Sequence, residues 1–397
     1  MLKVDIILPS LISYQKYPNY RKFQIFQLQK LAFPNWNGNW FPVWFNLKNL
    51  KKKYNVKIRF LNYLTFNQKK LSKIVGFDAR ILNNLITKHK YVGVTLKKEI
   101  LPLLKKIRDE VDFLIYFDNA DNPGYFHKEV FQYVDRYYKK QMFKDHSNYS
   151  KNLYRERLFA DFYARNYTVD LSDEKTVNLK ISPTDLKKTG ISWNFALKDY
   201  RYSNFLTRLL YGLTRKNKIR FYEPRGTRKY FMSANYSIKH ISELIYFQRA
   251  ELLKLLEEKY KSNSNVSLGK IPKKIYLSTM RSSKAIVSPF GWGEICYRDF
   301  ETFIAGAALI KPNMDHLETW PNLYEKNKTY LPISWKIEEW DQEFEKIFSD
   351  EKLLLEIARN GQNAYKKIWT KQGSETFCER FIQMITPNLA FEKIDEN

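Results

Sequence analysis

Short apolar runs separated by helix-like stretches recur in the first third of the chain, and no other feature constrains the fold as tightly. Val4–Leu8 (VDIIL) is one such run, Val56–Phe60 (VKIRF) alternates at period two, and Val111–Phe117 (VDFLIYF) is apolar and β-prone. Leu96–Asp109 (LKKEILPLLKKIRD) places its apolar residues at helical spacing and leads directly into the third run. A strand fed by an amphipathic helix, several times over, predicts an α/β layer structure with a mainly parallel sheet.

The pattern returns further on. Glu223–Thr227 (EPRGT) is turn-rich and marks a domain boundary, followed by a strand at Lys229–Ser233 and a helix over Ile241–Tyr260 with an apolar stripe at Leu244, Phe247, Leu252, Leu255 and Leu256. A polar loop at Lys261–Asn265, a helix from near Pro272 and a strand at Ala285–Val287 continue the alternation. Helices are expected at Gln342–Phe348, Glu351–Trp369 and Ser374–Ile385, the last long enough to cross back over the first domain. Between Tyr137 and Lys218 no clean period shows, and a mixture of helices and loops is expected. The division read from these signals is 1–225, 226–375 and a terminal helix and tail, 376–397.

At 397 residues the chain exceeds one ordinary core, and its 16% aromatic content excludes a disordered or fibrous protein. Cys296 and Cys378 are its two cysteines, too few for a disulfide framework and without the spacing of a zinc site, which fits a reducing, cytoplasmic setting. Met1–Ser10 (MLKVDIILPS) carries Asp5 inside its apolar run and reads as a strand instead of a signal peptide. Phe303–Ile310 is among the longest apolar windows and is far short of the roughly 18 residues of a spanning helix.

Charge is unevenly placed. Of a net +26, the first 225 residues hold 43 Lys and Arg against 19 Asp and Glu, whereas the remaining 172 hold 25 against 23. A lysine-rich composition would raise both parts alike, so the bias points to an anionic partner of the first part: nucleic acid, an acidic polymer or a phosphate-bearing lipid surface.

The stretch most suggestive of chemistry is Ser283–Pro312 (SKAIVSPFGWGEICYRDFETFIAGAALIKP), which reads strand, glycine loop, helix, small-residue turn and strand. Ser288–Gly293 would lie at the carboxyl end of a strand, where glycines permit close backbone approach and the next helix presents unpaired N–H groups to a phosphate. Arg298 and Glu301 fall three apart on that helix and could address a diphosphate and a ribose diol. The plainer alternative makes Gly291 and Gly293 a simple turn, Glu294 a first-turn carboxylate, and Glu301 the surface partner of Arg298. The pattern is neither a P-loop nor G-x-G-x-x-G.

In the first domain, Phe117–Gly124 (FDNADNPG) follows a strand, so Asp118 and Asp121 could face a ligand crevice and one of them act as general base. The same residues also spell a turn with a helix cap. His127 is a rival base, and His89, His146, His240 and His316 show no ligating spacing. Trp36, Trp40 and Trp44 in the aromatic stretch Phe33–Phe45 could stack on sugar rings or pack as a folded loop.

Ser283–Pro312 resembles the C-terminal donor-binding domain of GT-B glycosyltransferases and looks like the exostosin-like type in particular. In that family a serine or proline loop precedes the donor phosphates, and a glutamate opening an E-x-x-x-x-G element binds the donor ribose. Ser288 with Gly291 and Gly293, and Glu301 ahead of Gly306, stand at those positions. Many relatives carry two glutamates eight positions apart, whereas Glu294 and Glu301 are seven apart, so the resemblance assigns Glu294 no role. Arg249 is similar in placement to basic residues that contact donor phosphates. The resemblance implies two Rossmann-like domains facing a cleft, with the C-terminal helix returning to the first. It further implies a nucleotide-sugar substrate, no cofactor and no metal, and transfer to an acidic or lipid-linked glycan at the inner face of a membrane, with peripheral membrane association. The rival is a nucleic-acid-binding protein that uses the basic surface and a merely structural glycine loop.

Overall fold

The computed structural model describes residues 1–9, 38–63, 66–67, 70–82, 95–197, 219–238 and 242–386. Trp36, His89 and His240 lie outside the described residues. In the first half, β1 (Leu2–Leu8), β2 (Val56–Asn62), β3 (Ile74–Asp78), β4 (Phe113–Asp118) and β5 (Arg136–Lys139) run parallel. The chain then leaves the sheet through β6 (Gln141–Phe143) and rejoins it at β7 (Thr189–Ile191), giving the order β2-β1-β3-β4-β5-β7. In the second half, β8 (Tyr230–Ala234), β9 (Val266–Leu268), β10 (Ser283–Val287) and β11 (Ala308–Pro312) belong to a parallel sheet. After the detached β12 (Leu317–Thr319), β13 (Leu331–Ile333) completes the order β9-β8-β10-β11-β13. Both orders reverse beside their first strand, as in doubly wound, Rossmann-like domains.

Nine helices matter for the site: α1 (Leu47–Tyr54), α2 (Leu101–Arg108), α3 (Leu158–Asn166), α4 (Glu243–Tyr260), α5 (Lys273–Arg281), α6 (Tyr297–Ala305), α7 (Trp340–Ser349), α8 (Glu351–Lys367) and α9 (Lys371–Ile385). The α6 helix shows how the sequence sets its ends. Cys296 and Asp299 form a reciprocal capping box at its start, Phe300 and Phe303 bury one face, and Gly306 closes it in the left-handed conformation at φ 67°.

The terminal helix does cross back. Phe377, Phe381, Met384 and Ile385 of α9 pack into the cluster that holds Val4, Ile6 and Leu8 of β1, each contributing about 1.5–3 kcal/mol by burial. Arg380 donates to the carbonyls of Ser192 (3.1 Å) and Ile191 (2.7 Å), and Glu375 pairs with Lys53 of α1 at 3.2 Å.

One expectation is corrected. The stretch beginning at Tyr137 supplies sheet strands, β5 and β7, besides helices and loops; strands of three or four residues are too short to display a period. Nor does the sequence pattern mark β3, whose IVGFD is buried throughout. Trp40 and Trp44 are core residues, with the Trp40 indole N–H donating to Asp78 at 2.6 Å.

The halves are joined along one edge. β12 of the second pairs antiparallel with β6 of the first, the Thr319 hydroxyl donates to the Lys140 carbonyl (3.0 Å), and Asn194 donates to Thr319 (2.9 Å). One apolar cluster runs from Leu114 and Tyr116 on β4 to Phe290, Ile295, Phe300 and Leu309 of the second half.

Candidate functional site

In an open parallel sheet the ligand crevice forms outside the carboxyl ends of the strands where their order reverses. In the second domain that place lies between β8 and β10, and the glycine loop leaves β10 there. Ser288 is fully buried; its hydroxyl donates to Asp299 at 2.6 Å and stands 3.5 Å from Arg298 Nη1. Arg249, from α4, donates to the Phe290 carbonyl (2.6 Å) and the Ser237 carbonyl (3.1 Å) and rests against Gly291. Both guanidiniums lie over the Tyr236 ring, at 5.9 Å for Arg249 and 5.4 Å for Arg298.

Burial draws the Arg249 guanidinium below its ordinary value. For Arg298 burial acts the same way, but Tyr276, Cys296 and Asp299 outweigh it and hold the group above its usual range. Arg298 Nε is buried without a hydrogen-bond partner among the described residues. Glu301, one turn along α6, accepts from the Tyr276 hydroxyl at 3.2 Å, and Tyr276 also bonds Arg298. Ser288, Gly291, Arg249, Arg298 and Glu301 thus share one edge of the second sheet.

Beneath the loop lies a pair the sequence reading misses. Asp299 and Lys311 are fully buried and ion-paired at 3.2 Å, and Asp299 also accepts from Ser288, the Cys296 N–H (3.1 Å) and Tyr324 (2.8 Å). Their positions on α6 and β11 look like ordinary polar positions, and only the fold brings them together.

The first domain supplies the facing wall. Asp118, the last residue of β4, is buried and in register with Lys139 of β5; it accepts from Lys139 (2.8 Å), Tyr137 (2.9 Å) and the Ala120 N–H (3.0 Å). Burial alone would raise its carboxyl, yet Lys139, His127 and these hydrogen bonds hold it below the usual carboxylate range. A carboxylate so engaged is a structural anchor. Asp121 is different: its side chain is 35% exposed, it pairs with the buried Lys140, and its backbone lies against Gly293 of the other domain. His127 is buried, and burial lowers its pKa.

Contact between Gly293 and Asp121 is close enough to be tested. A Cβ at 293 would stand 2.6 Å from the Asp121 carbonyl oxygen. Gly293→Ala is expected to force the loop off the first domain and to cost on the order of 1–3 kcal/mol in urea unfolding; unchanged stability would show that the loop gives way freely.

Glu294 does not occupy the first turn of a helix. It is fully buried at the seam, accepting from Gln141 of β6 at 3.2 Å, with His316 3.6 Å away. The Trp292 indole, 41% exposed, is steadied from behind by Arg157, which donates to its carbonyl at 3.0 Å. The sequence suggests neither the burial of Glu294 nor the exposure of Trp292, because both are defined by tertiary neighbours.

No protein-family description matches the chain, and no curated protein matches it. Among solved structures it is similar to HepE of Anabaena in complex with UDP and glucose, at 9% identity over 96% of this chain and 99% of that one, TM-score 0.40. An alpha-glucosyltransferase in complex with UDP gives 11% identity, 97% and 100% coverage, and TM-score 0.43. The UDP complex of MnaA from S. aureus gives 10% identity, 95% and 97% coverage, and TM-score 0.33. The chain's own topology is two Rossmann-like domains with the carboxyl ends of their sheets meeting at a seam, and a terminal helix returning to the first.

Proposed function

We propose that the chain is a nucleotide-sugar-dependent glycosyltransferase of exostosin-like type. Residues 226–375 would hold the donor and 1–225 an acidic or lipid-linked glycan acceptor, at the cytoplasmic face of a membrane. The observation that carries this reading is the convergence of Arg249 and Arg298 on one loop and one helix N-terminus, at the point where the strand order reverses. Two guanidiniums and a row of N–H groups suit a diphosphate, and Glu301 stands one turn away for the ribose diol.

In this mechanism the basic groups and helix dipole stabilise the departing phosphate, and the seam holds the anomeric carbon near the acceptor hydroxyl without a metal. Asp121 is our candidate to take the proton: it is paired with Lys140 but 35% exposed, whereas Asp118 is buried and paired with Lys139. The positive excess of the first part would attract the anionic acceptor and favour peripheral membrane association. No helix among the described residues is long and apolar enough to cross a membrane.

A thermal-shift panel of UDP, GDP, dTDP, ADP and CMP tests the proposal. One nucleotide should raise the unfolding temperature, since ligand at a hundred times its dissociation constant adds about 2.7 kcal/mol. Glu301→Ala should remove that response and leave the unliganded midpoint in place. No response to any nucleotide, with steeply salt-dependent binding of an oligonucleotide, would favour the nucleic-acid reading instead.

A further inference from the structure

Among the described residues two aromatic side chains stand out as exposed, and both lie where the domains meet. Trp292, in the glycine loop, is 41% exposed, and Tyr297, the first residue of α6, is 43% exposed. Each belongs to the second domain and rests on a side chain of the first. The Arg157 guanidinium lies over the Trp292 indole, 5.2 Å from its centre, and the Phe195 ring is 4.8 Å from the Tyr297 ring. Large aromatics left in water at such a junction mark a surface that a ligand covers.

The indole is held in place. Arg157 is itself 2% exposed; besides donating to the Trp292 carbonyl at 3.0 Å it donates to the Arg155 carbonyl at 2.6 Å. Gly291 closes the turn by donating to the Gly293 carbonyl at 3.0 Å, and Gly293 lies against the Asp121 backbone. A ligand that stacks on a ring already placed loses little free energy to ordering it.

Position narrows the ligand. The proposed ribose end of the donor site, Glu301 with Tyr276, is built from the second domain. Trp292 is on the side that faces the first domain, one residue from the contact with Asp121, so a ring stacked there belongs to the acceptor and not to the nucleotide. The Asp121 carboxylate is paired with Lys140 and 35% exposed; it accepts from hydroxyls and repels phosphate. An aromatic face beside such an acceptor suits the C–H face and hydroxyl rim of a pyranose.

We propose that the Trp292 indole is the stacking platform for a pyranose ring of the acceptor, with Tyr297 as a second contact along the same seam. The inference rests on the glycosyltransferase reading and adds to it the residues that hold the acceptor by ring shape instead of by charge. The positive excess of the first domain attracts the acceptor, and the aromatic rim fixes the unit that reacts.

A glycan array probed with the full chain tests this. It carries neutral and uronic-acid oligosaccharides together with a single-stranded oligonucleotide, and the nucleotide thermal-shift panel, run on each variant, reports the donor site separately. Binding to at least one oligosaccharide is expected. It should fall about ten-fold in Trp292→Ala and about three-fold in Tyr297→Ala, and recover in Trp292→Phe, with the nucleotide response kept in all three. No bound oligosaccharide, equal binding by Trp292→Ala, or Trp292-dependent binding of the oligonucleotide alone would each overturn the proposal. Loss of the nucleotide response in Trp292→Ala would overturn it too, by assigning the ring to the donor. Absence of that response in the unaltered protein, with Trp292-dependent glycan binding intact, would instead overturn the donor assignment.

Discussion

Asp299→Ala is expected to destabilise the protein by about 3–5 kcal/mol in urea unfolding, because it leaves the Lys311 ammonium buried with no counter-charge. The same change removes the acceptor for Ser288, for the Cys296 N–H that opens α6, and for Tyr324. Loop and helix N-terminus are therefore released together, and any nucleotide-induced thermal shift should disappear as well. Asp299→Asn keeps the shape but drops the charge, and Lys311→Met removes the ammonium. The double variant should be far less destabilised than the two single changes added together, since it leaves neither charge alone. Additive losses, or a cost below about 1 kcal/mol for Asp299→Ala, would show that the pair does not anchor the loop.

Asp118→Asn is expected to cost a similar amount near neutral pH, about 3–5 kcal/mol, by stranding Lys139 among buried aromatic side chains. Its effect should depend on pH with a definite sign. The folded-state pKa of Asp118 lies below the ordinary value of 3.8, because Lys139 and its other partners overcome the effect of burial. Stability from this ionisation is complete above the unfolded value and fades as the pH falls through the lower folded one. The difference between wild type and Asp118→Asn should therefore hold steady from pH 7 to pH 5 and shrink below about pH 4. Urea titrations across that range measure it, and a gap of constant size would reject the ion pair as its source.

Much of the layout is legible in the sequence. β4 and β10 are apolar runs bounded by amphipathic helices, and Ser288–Gly293 could be placed at the end of a strand from its glycines. What escapes detection has a common cause. β5 reads Arg-Tyr-Tyr-Lys, and its place in the sheet is set by pairing with β4, which also neutralises Lys139. Asp299 and Lys311 stand twelve residues apart and resemble solvent-exposed charges until α6 folds onto β11. Glu294 looks like a first-turn carboxylate, but α6 begins only after Cys296, with Asp299 in its capping box, and the glutamate turns into the seam. Local pattern reports periodicity and turns; the burial of a charge depends on a partner that the chain brings from elsewhere.

The ladder between β6 and β12 has a mechanical implication. To swing apart like a hinged clam shell, the halves would have to unzip three residue pairs and wet the core around Phe290 and Ile295. Under the proposed function, substrates would then enter and leave by the rim where Trp292 and Tyr297 face solvent, and shape adjustment would fall to those side chains and their loop instead of to wholesale rotation of one lobe.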